Sequence, residues 1–165
     1  MCCLSDEKIA FIREEVANAL SRKKITRIRI DRETIKELCK IVGEKGKIYV
    51  DDEEARAAGF EKALVPPSIV LSILSPFISD FFISRLNRDI IREIKGFIHA
   101  GSKVYFFKPL YTSNEYVVEI MLSAISERKG KKGKRYIVTD VDVSLFENTG
   151  DIVFKDMHRV FLRVV

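Results

Sequence analysis

The chain has 165 residues, which suits one domain built around one core. Apolar residues make up 47% and charged residues 32%, a balance that argues against a disordered tail and describes a soluble globular protein. The formal net charge of +5 is too mild to imply nucleic acid, and it suits an anionic ligand such as the phosphates of coenzyme A equally well.

Cys2 and Cys3 open the chain, and Cys39 is the third cysteine. Their odd count and lack of metal-ligand spacing argue against a disulfide scaffold and for a reducing cytoplasm. The charge from Asp6 onward does not fit a secretory signal peptide. Residues 5–20 read as a helix capped by Ser5, with Ile9, Ile12, Val16 and Leu20 on one stripe. Lys24 to Ile30 alternates Ile25, Ile28 and Ile30 with polar residues and predicts a short strand. Asp31 caps a second helix over 32–42, whose apolar residues Ile35, Leu38, Cys39 and Val42 recur at helical spacing, and Gly43 ends it.

Gly43 to Lys47 is expected to be a tight loop, with Gly46 free to take positive φ, and Ile48-Tyr49-Val50 an extended piece. Asp51 and Asp52 open a short helix to Ala58, complementing its dipole, and Gly59 stops it. Pro66-Pro67 begins a further helix, because the first turn needs no N–H there. Ser68 to Ser75 is apolar almost all round, so protein is expected to surround it. Pro76 is expected to kink or restart it, with a second helical stretch from Phe77 to Leu86. Three prolines and Asp80 break the apolar stretch Ala63 to Ile83, which therefore reads as a buried helix and not a membrane span.

From Phe97 the pattern changes to period two. Four strands are predicted: Gly96 to Phe107, Glu115 to Glu127, Arg135 to Glu147, and Asp151 to Val165. Gly130 and Gly133 mark a hairpin, and Asn148-Thr149-Gly150 a tight turn. Long antiparallel strands following one buried helix predict an α+β domain, with a curved sheet wrapped around that helix.

The run Ile48 to Phe60, with Asp51, Ala55, Gly59 and Phe60 in place, followed by Leu64-Val65-Pro66-Pro67-Ser68, resembles the MaoC-like family of hotdog proteins. Phe97-Ile98-His99-Ala100-Gly101 and Phe106-Phe107-Lys108-Pro109-Leu110 look like the strand with which that family follows its helix. The likeness covers roughly residues 24–163. It is closest to the N-terminal, FAS1-type dehydratase branch, which resembles the non-catalytic partner half of (R)-3-hydroxyacyl-thioester dehydratases. The resemblance implies a single hotdog domain over residues 23–165 with a helical extension over 1–22. It also implies a homodimer, or a heterodimer with a MaoC-like catalytic chain. The ligand would be an acyl chain on coenzyme A or acyl carrier protein, with no cofactor beyond that carrier, no metal, no nucleic acid and no membrane. The reaction would be reversible addition of water to a 2-enoyl thioester.

Active members of the family carry a G-D-x-N-P-x-H loop whose Asp and His activate one water. Here Gly43 matches, Glu44 stands for the Asp, and Tyr49 for the His. A longer carboxylate misplaces the reactive oxygen, and a phenol with a pKa of about 10 is a poor base at neutral pH. Glu44 can still be read as a base and Tyr49 as a hydrogen-bond donor, or the two as a solvated loop carboxylate and a packed aromatic. An acyl-binding subunit that depends on a catalytic partner is the expected role.

Substrate contacts are expected at Gly43 and at the helix start Pro67, Ser68 and Ile69, whose amides can face the thioester oxygen. His99 is a candidate acid–base group or an ordinary sheet histidine; His158 ranks lower. The basic hairpin with Lys129, Lys131 and Lys132 is a solvated turn or a contact for carrier phosphates. Two other functions stay open: a thioesterase using Glu44, Asp51 or Glu54, and a non-enzymatic acyl-CoA binding module.

Overall fold

The structure is a computed structural model and describes residues 5–164, so Cys2, Cys3 and the side chain of Lys132 lie outside the described residues. In chain order the elements are α1 (Asp6–Leu20), β1 (Lys24–Arg29), α2 (Arg32–Val42), α3 (Asp52–Ala57), α4 (Pro67–Ile83), α5 (Arg88–Glu93), β2 (Gly96–Phe106), β3 (Glu115–Lys129), β4 (Arg135–Phe146) and β5 (Ile152–Arg163). The strands form one five-stranded sheet in the order β1-β3-β4-β5-β2, antiparallel throughout. This is the α+β arrangement expected of a hotdog domain. No helix among the described residues is long and apolar enough to cross a membrane.

Period two decides which face of the sheet is buried. Ile137, Val141, Val143 and Leu145 of β4 share one face with Phe154, Val160 and Leu162 of β5, and all join one core. Ile69, Val70, Leu74, Ile78 and Phe81 of α4 complete that core. The α1 stripe Ile9, Ile12, Val16 and Leu20 lies in the same core, at 0–1% exposure. Ser5 caps α1 by accepting from the Lys8 amide, and Asp31 caps α2 by accepting from the Thr34 amide. In β1, Ile28 is buried while Ile25, of opposite parity, is exposed.

Several expectations change. Pro76 neither kinks nor restarts the helix: α4 is one helix of 17 residues that runs through it. An interior proline costs about 3 kcal/mol or more in a helix. Here Leu74 on one side and Ile78, Phe81 and Phe82 on the other are buried, and that packing outweighs the local cost. Protein does not surround the helix completely, because Ser72, Ser75 and Ser79 are exposed along one side. The helix stops at Ile83 instead of Leu86, and the polar helix α5, capped by Asn87, follows unforeseen. Lys47–Tyr49 forms a 3-10 turn in place of an extended piece, closed by bonds from the Tyr49 amide to the Gly46 carbonyl and from the Val50 amide to the Lys47 carbonyl.

A clamp holds the start of α4. The Val65 amide donates to the Leu110 carbonyl, and Thr112 donates to the Ala63 carbonyl from both its amide and its hydroxyl. Tyr116 Oη accepts from the Tyr111 amide at 2.8 Å and so fixes the loop that makes the clamp.

Candidate functional site

A groove of about 650 Å³ runs between α4 and the edge strand β2. Leu71, Ile78 and Phe82 from α4, with Phe97 and Val160 from the sheet, give it apolar walls. Ser72, Ser75 and Ser79 recur at helical spacing and line the α4 side with hydroxyls. His99 and His158 line the sheet side.

The two histidines belong to a polar cluster. Their rings stack 4.2 Å apart at an interplanar angle of 6°. Ser102 Oγ lies 3.1 Å from His99 Nε2, 3.0 Å from His158 Nδ1 and 3.2 Å from Asp156 Oδ2. His158 Nδ1 lies 3.0 Å from the same Asp156 oxygen. Asp156 is fully buried, and its Oδ1 has no hydrogen-bond partner among the described residues. Three structural features assemble the group. β2 and β5 pair so that Ser102 lies opposite His158 and Val104 opposite Asp156. Even-numbered positions of β5 face inward, which puts Asp156 and His158 on one face. The register of β2 slips between His99 and Gly101, and this bulge brings His99 and Ser102 to the same face although they are three residues apart.

Glu44 and Tyr49 meet in the loop after α2, away from the groove lining. Glu44 Oε1 accepts from the Gly46 amide at 2.9 Å. The Tyr49 ring covers Gly46 and packs against the core. Burial pushes the Tyr49 phenol above its ordinary value, and the Glu44 carboxylate and Cys39 act in the same direction. Tyr49 is therefore a neutral donor across the physiological range. Gly46 sits at φ −66° and does not use its freedom to take positive φ, while Gly43 sits at φ +74°. Glycine at 46 answers to space instead: a Cβ there would meet Tyr49 ring carbons at 2.8 and 2.9 Å. Gly46→Ala is expected to cost about 1–3 kcal/mol by displacing that ring, measurable by urea denaturation.

Pro67 and Ser68 are exposed at the start of α4, whereas Ile69 is 1% exposed and points into the core. Pro67 brings no amide hydrogen. The basic hairpin lies at the opposite end of the sheet. Lys129 and Arg135 close the β3–β4 ladder there, while Val65 and Leu110 meet at the far end. Lys129 and Arg135 face Asp6 of α1, and Lys131 is exposed. Thus His99 is in the groove, Glu44 and Tyr49 form a separate loop group, and the hairpin is distant from both that loop and the α4 start. Sequence reasoning did not single out Ser102 and Asp156, because their closeness to the histidines appears only when β2 pairs with β5.

Residues 21–154 match the family model described as the FAS1-like dehydratase domain region. A UPF0336 protein of Streptomyces griseus subsp. griseus is 24% identical over 140 residues, which cover 81% of this chain and 84% of that protein. The mitochondrial 3-hydroxyacyl-[acyl-carrier-protein] dehydratase of Arabidopsis thaliana is 27% identical over 124 residues, covering 75% of this chain and 64% of that protein. Among solved structures, the ChsH1-ChsH2 complex from Mycobacterium tuberculosis superposes with a TM-score of 0.69 at 18% identity, covering 94% of this chain and 93% of that one. The C-terminally truncated HadBC (3R-hydroxyacyl-ACP dehydratase) complex of the same organism gives 0.63 at 16% identity, covering 85% and 95%.

Proposed function

The chain belongs to the FAS1-like dehydratase domain family, and from that premise we propose that it is an acyl-thioester-binding subunit of a 3-hydroxyacyl-thioester dehydratase or enoyl hydratase. The observation that carries this reading is the groove of about 650 Å³ beside α4, whose walls are mostly apolar. A groove of that size and lining suits a hydrocarbon chain. The carrier, coenzyme A or acyl carrier protein, would remain outside it.

The catalytic pair would come from a second hotdog chain. Glu44 already closes its own loop, and Tyr49 is a neutral phenol, so neither is disposed to activate water. The carboxylates that a thioesterase would use are engaged as well: Asp51 caps α3 and Glu54 pairs with Lys47. β2 offers the partner a seat. Its outer edge is unpaired among the described residues, and Phe97, Ile98, Val104, Tyr105, Phe106 and the adjoining Phe107 are 37–54% exposed. Such an edge is a template for pairing with another strand. The other edge strand, β1, is short and carries Lys24, Arg27 and Arg29, which discourage it. The relatives crystallised as ChsH1-ChsH2 and HadBC complexes support a two-chain assembly.

The test mixes the purified chain with a MaoC-like chain that keeps D-x-N-P-x-H. The chain alone should bind dodecanoyl-CoA without hydrating dodecenoyl-CoA, and the mixture should hydrate it. Hydration by the chain alone that disappears in Glu44→Gln would instead make it a self-sufficient enzyme. Failure to bind any acyl-CoA would end the acyl reading.

A further inference from the structure

We propose that the groove selects an acyl chain bearing a hydroxyl remote from its thioester, and that the His99–Ser102–Asp156–His158 cluster receives this hydroxyl. The proposal rests on the reading of the groove as an acyl site and adds the chemical class of acyl chain.

Proton accounting gives the cluster its character. A carboxylate oxygen accepts, and Asp156 Oδ2 takes the Nδ1–H of His158 at 3.0 Å. The Ser102 hydroxyl donates to the same oxygen at 3.2 Å. Its hydrogen is then in use, and Ser102 Oγ accepts from His99 Nε2–H at 3.1 Å. In the neutral rings His158 Nε2 and His99 Nδ1 are left without hydrogens, as two acceptors on stacked imidazoles. Asp156 sets both tautomers, directly for His158 and through Ser102 for His99. Both rings line the groove. A plain hydrocarbon laid across them would strip them of water and return nothing. Each acceptor so orphaned costs roughly tenfold in affinity. A hydroxyl on the chain donates to one of them, and its oxygen can accept from the α4 wall. The hydroxyls of Ser72, Ser75 and Ser79 lie on that wall.

The position excludes a hydroxyl next to the thioester. Phe97, two residues before His99, meets Phe82 near the C-terminal end of α4, with ring centroids 6.1 Å apart. The opposite end of β2 leads to Leu110, which bonds Val65 just before the N-terminal end of α4. A helix of 17 residues is about 25 Å long. A thioester held at the α4 start therefore leaves many carbons between itself and the histidines.

The experiment is isothermal titration of the purified chain with dodecanoyl-CoA and with its 3-, 8- and 12-hydroxy derivatives. The 8- or 12-hydroxy compound should bind at least about tenfold more tightly than dodecanoyl-CoA, with no such gain for the 3-hydroxy compound. His99→Phe and His158→Phe keep an aromatic stack but remove the nitrogens; the substitution of the ring that receives the hydroxyl, and the double variant, should erase the preference while dodecanoyl-CoA still binds. If His158→Phe does not fold, His99→Phe and Ser102→Ala decide, since both leave the Asp156–His158 bond in place. Equal affinity for all four compounds, a gain confined to the 3-hydroxy compound, or a preference that survives the substitutions overturns the proposal. Those outcomes leave the acyl reading intact, whereas binding of none of the four removes both.

Discussion

Ser75→Trp should abolish most of the chain's affinity for dodecanoyl-CoA, by about 100-fold, or roughly 2.7 kcal/mol at 25 °C. Ser75 stands on the exposed side of α4 and lines the groove, one helical turn from both Ser72 and Ser79. An indole placed there fills the space that an acyl chain would occupy and competes with it directly. Stability should change little. The position is exposed, serine and tryptophan have similar helix propensity, and no side-chain hydrogen bond is lost. Titration calorimetry gives the affinity, and a thermal melt shows whether the fold is intact. An unchanged affinity in a folded variant would place the acyl chain outside this groove.

Tyr116→Ala is expected to destabilise the domain by about 3–5 kcal/mol, a large share of the 5–15 kcal/mol typical of a domain. Tyr116 is fully buried, and its hydroxyl fixes the Tyr111 amide, within the loop that clamps Ala63 and Val65 before α4. Tyr116→Phe keeps most of the volume and orphans that amide, at a cost of about 1–3 kcal/mol. Burial pushes the Tyr116 phenol above its ordinary value, with the Tyr111 contact opposing that shift. On unfolding, Tyr116 ionises near its reference value of about 10, so above that pH the unfolded state binds fewer protons than the folded state. Its contribution is therefore complete below about pH 10 and is lost as pH rises toward the raised folded value. Urea denaturation from pH 8 to 11 should show this alkaline loss, shallower in Tyr116→Phe. Equal slopes for the two proteins would assign the loss to other groups.

Much of the architecture is written locally. Ser5 and Asp31 cap the helices they were expected to cap, because a short polar side chain before an apolar stripe satisfies free amides within its own turn. The four long strands follow from alternation, and the turn at Asn148-Thr149-Gly150 from residue type, with Gly150 at φ +91°. Local rules failed where distant contacts decide. Pro76 carries a strong breaking signal, yet burial of its neighbours holds the helix together. Gly46 looked like a residue chosen for its backbone freedom, and a ring three residues away is what requires it. The hairpin lysines, read as a solvated turn or a contact for carrier phosphates, lie at the end of the sheet opposite the start of α4.

The sequence alone determined the fold class, the strand boundaries and the family likeness, because caps, period and motif spacing act over a few residues. The tertiary structure alone decided where His99 sits and what surrounds it. Under strict alternation His99 and Ser102 point to opposite faces. A bulge that ends at Gly101, where φ is +151°, turns them to the same one. Asp156 and His158 reach them from the far end of the chain only through the register of β5 on β2. That register is set by which face of each strand the core buries, a condition that exists only once the whole sheet has formed.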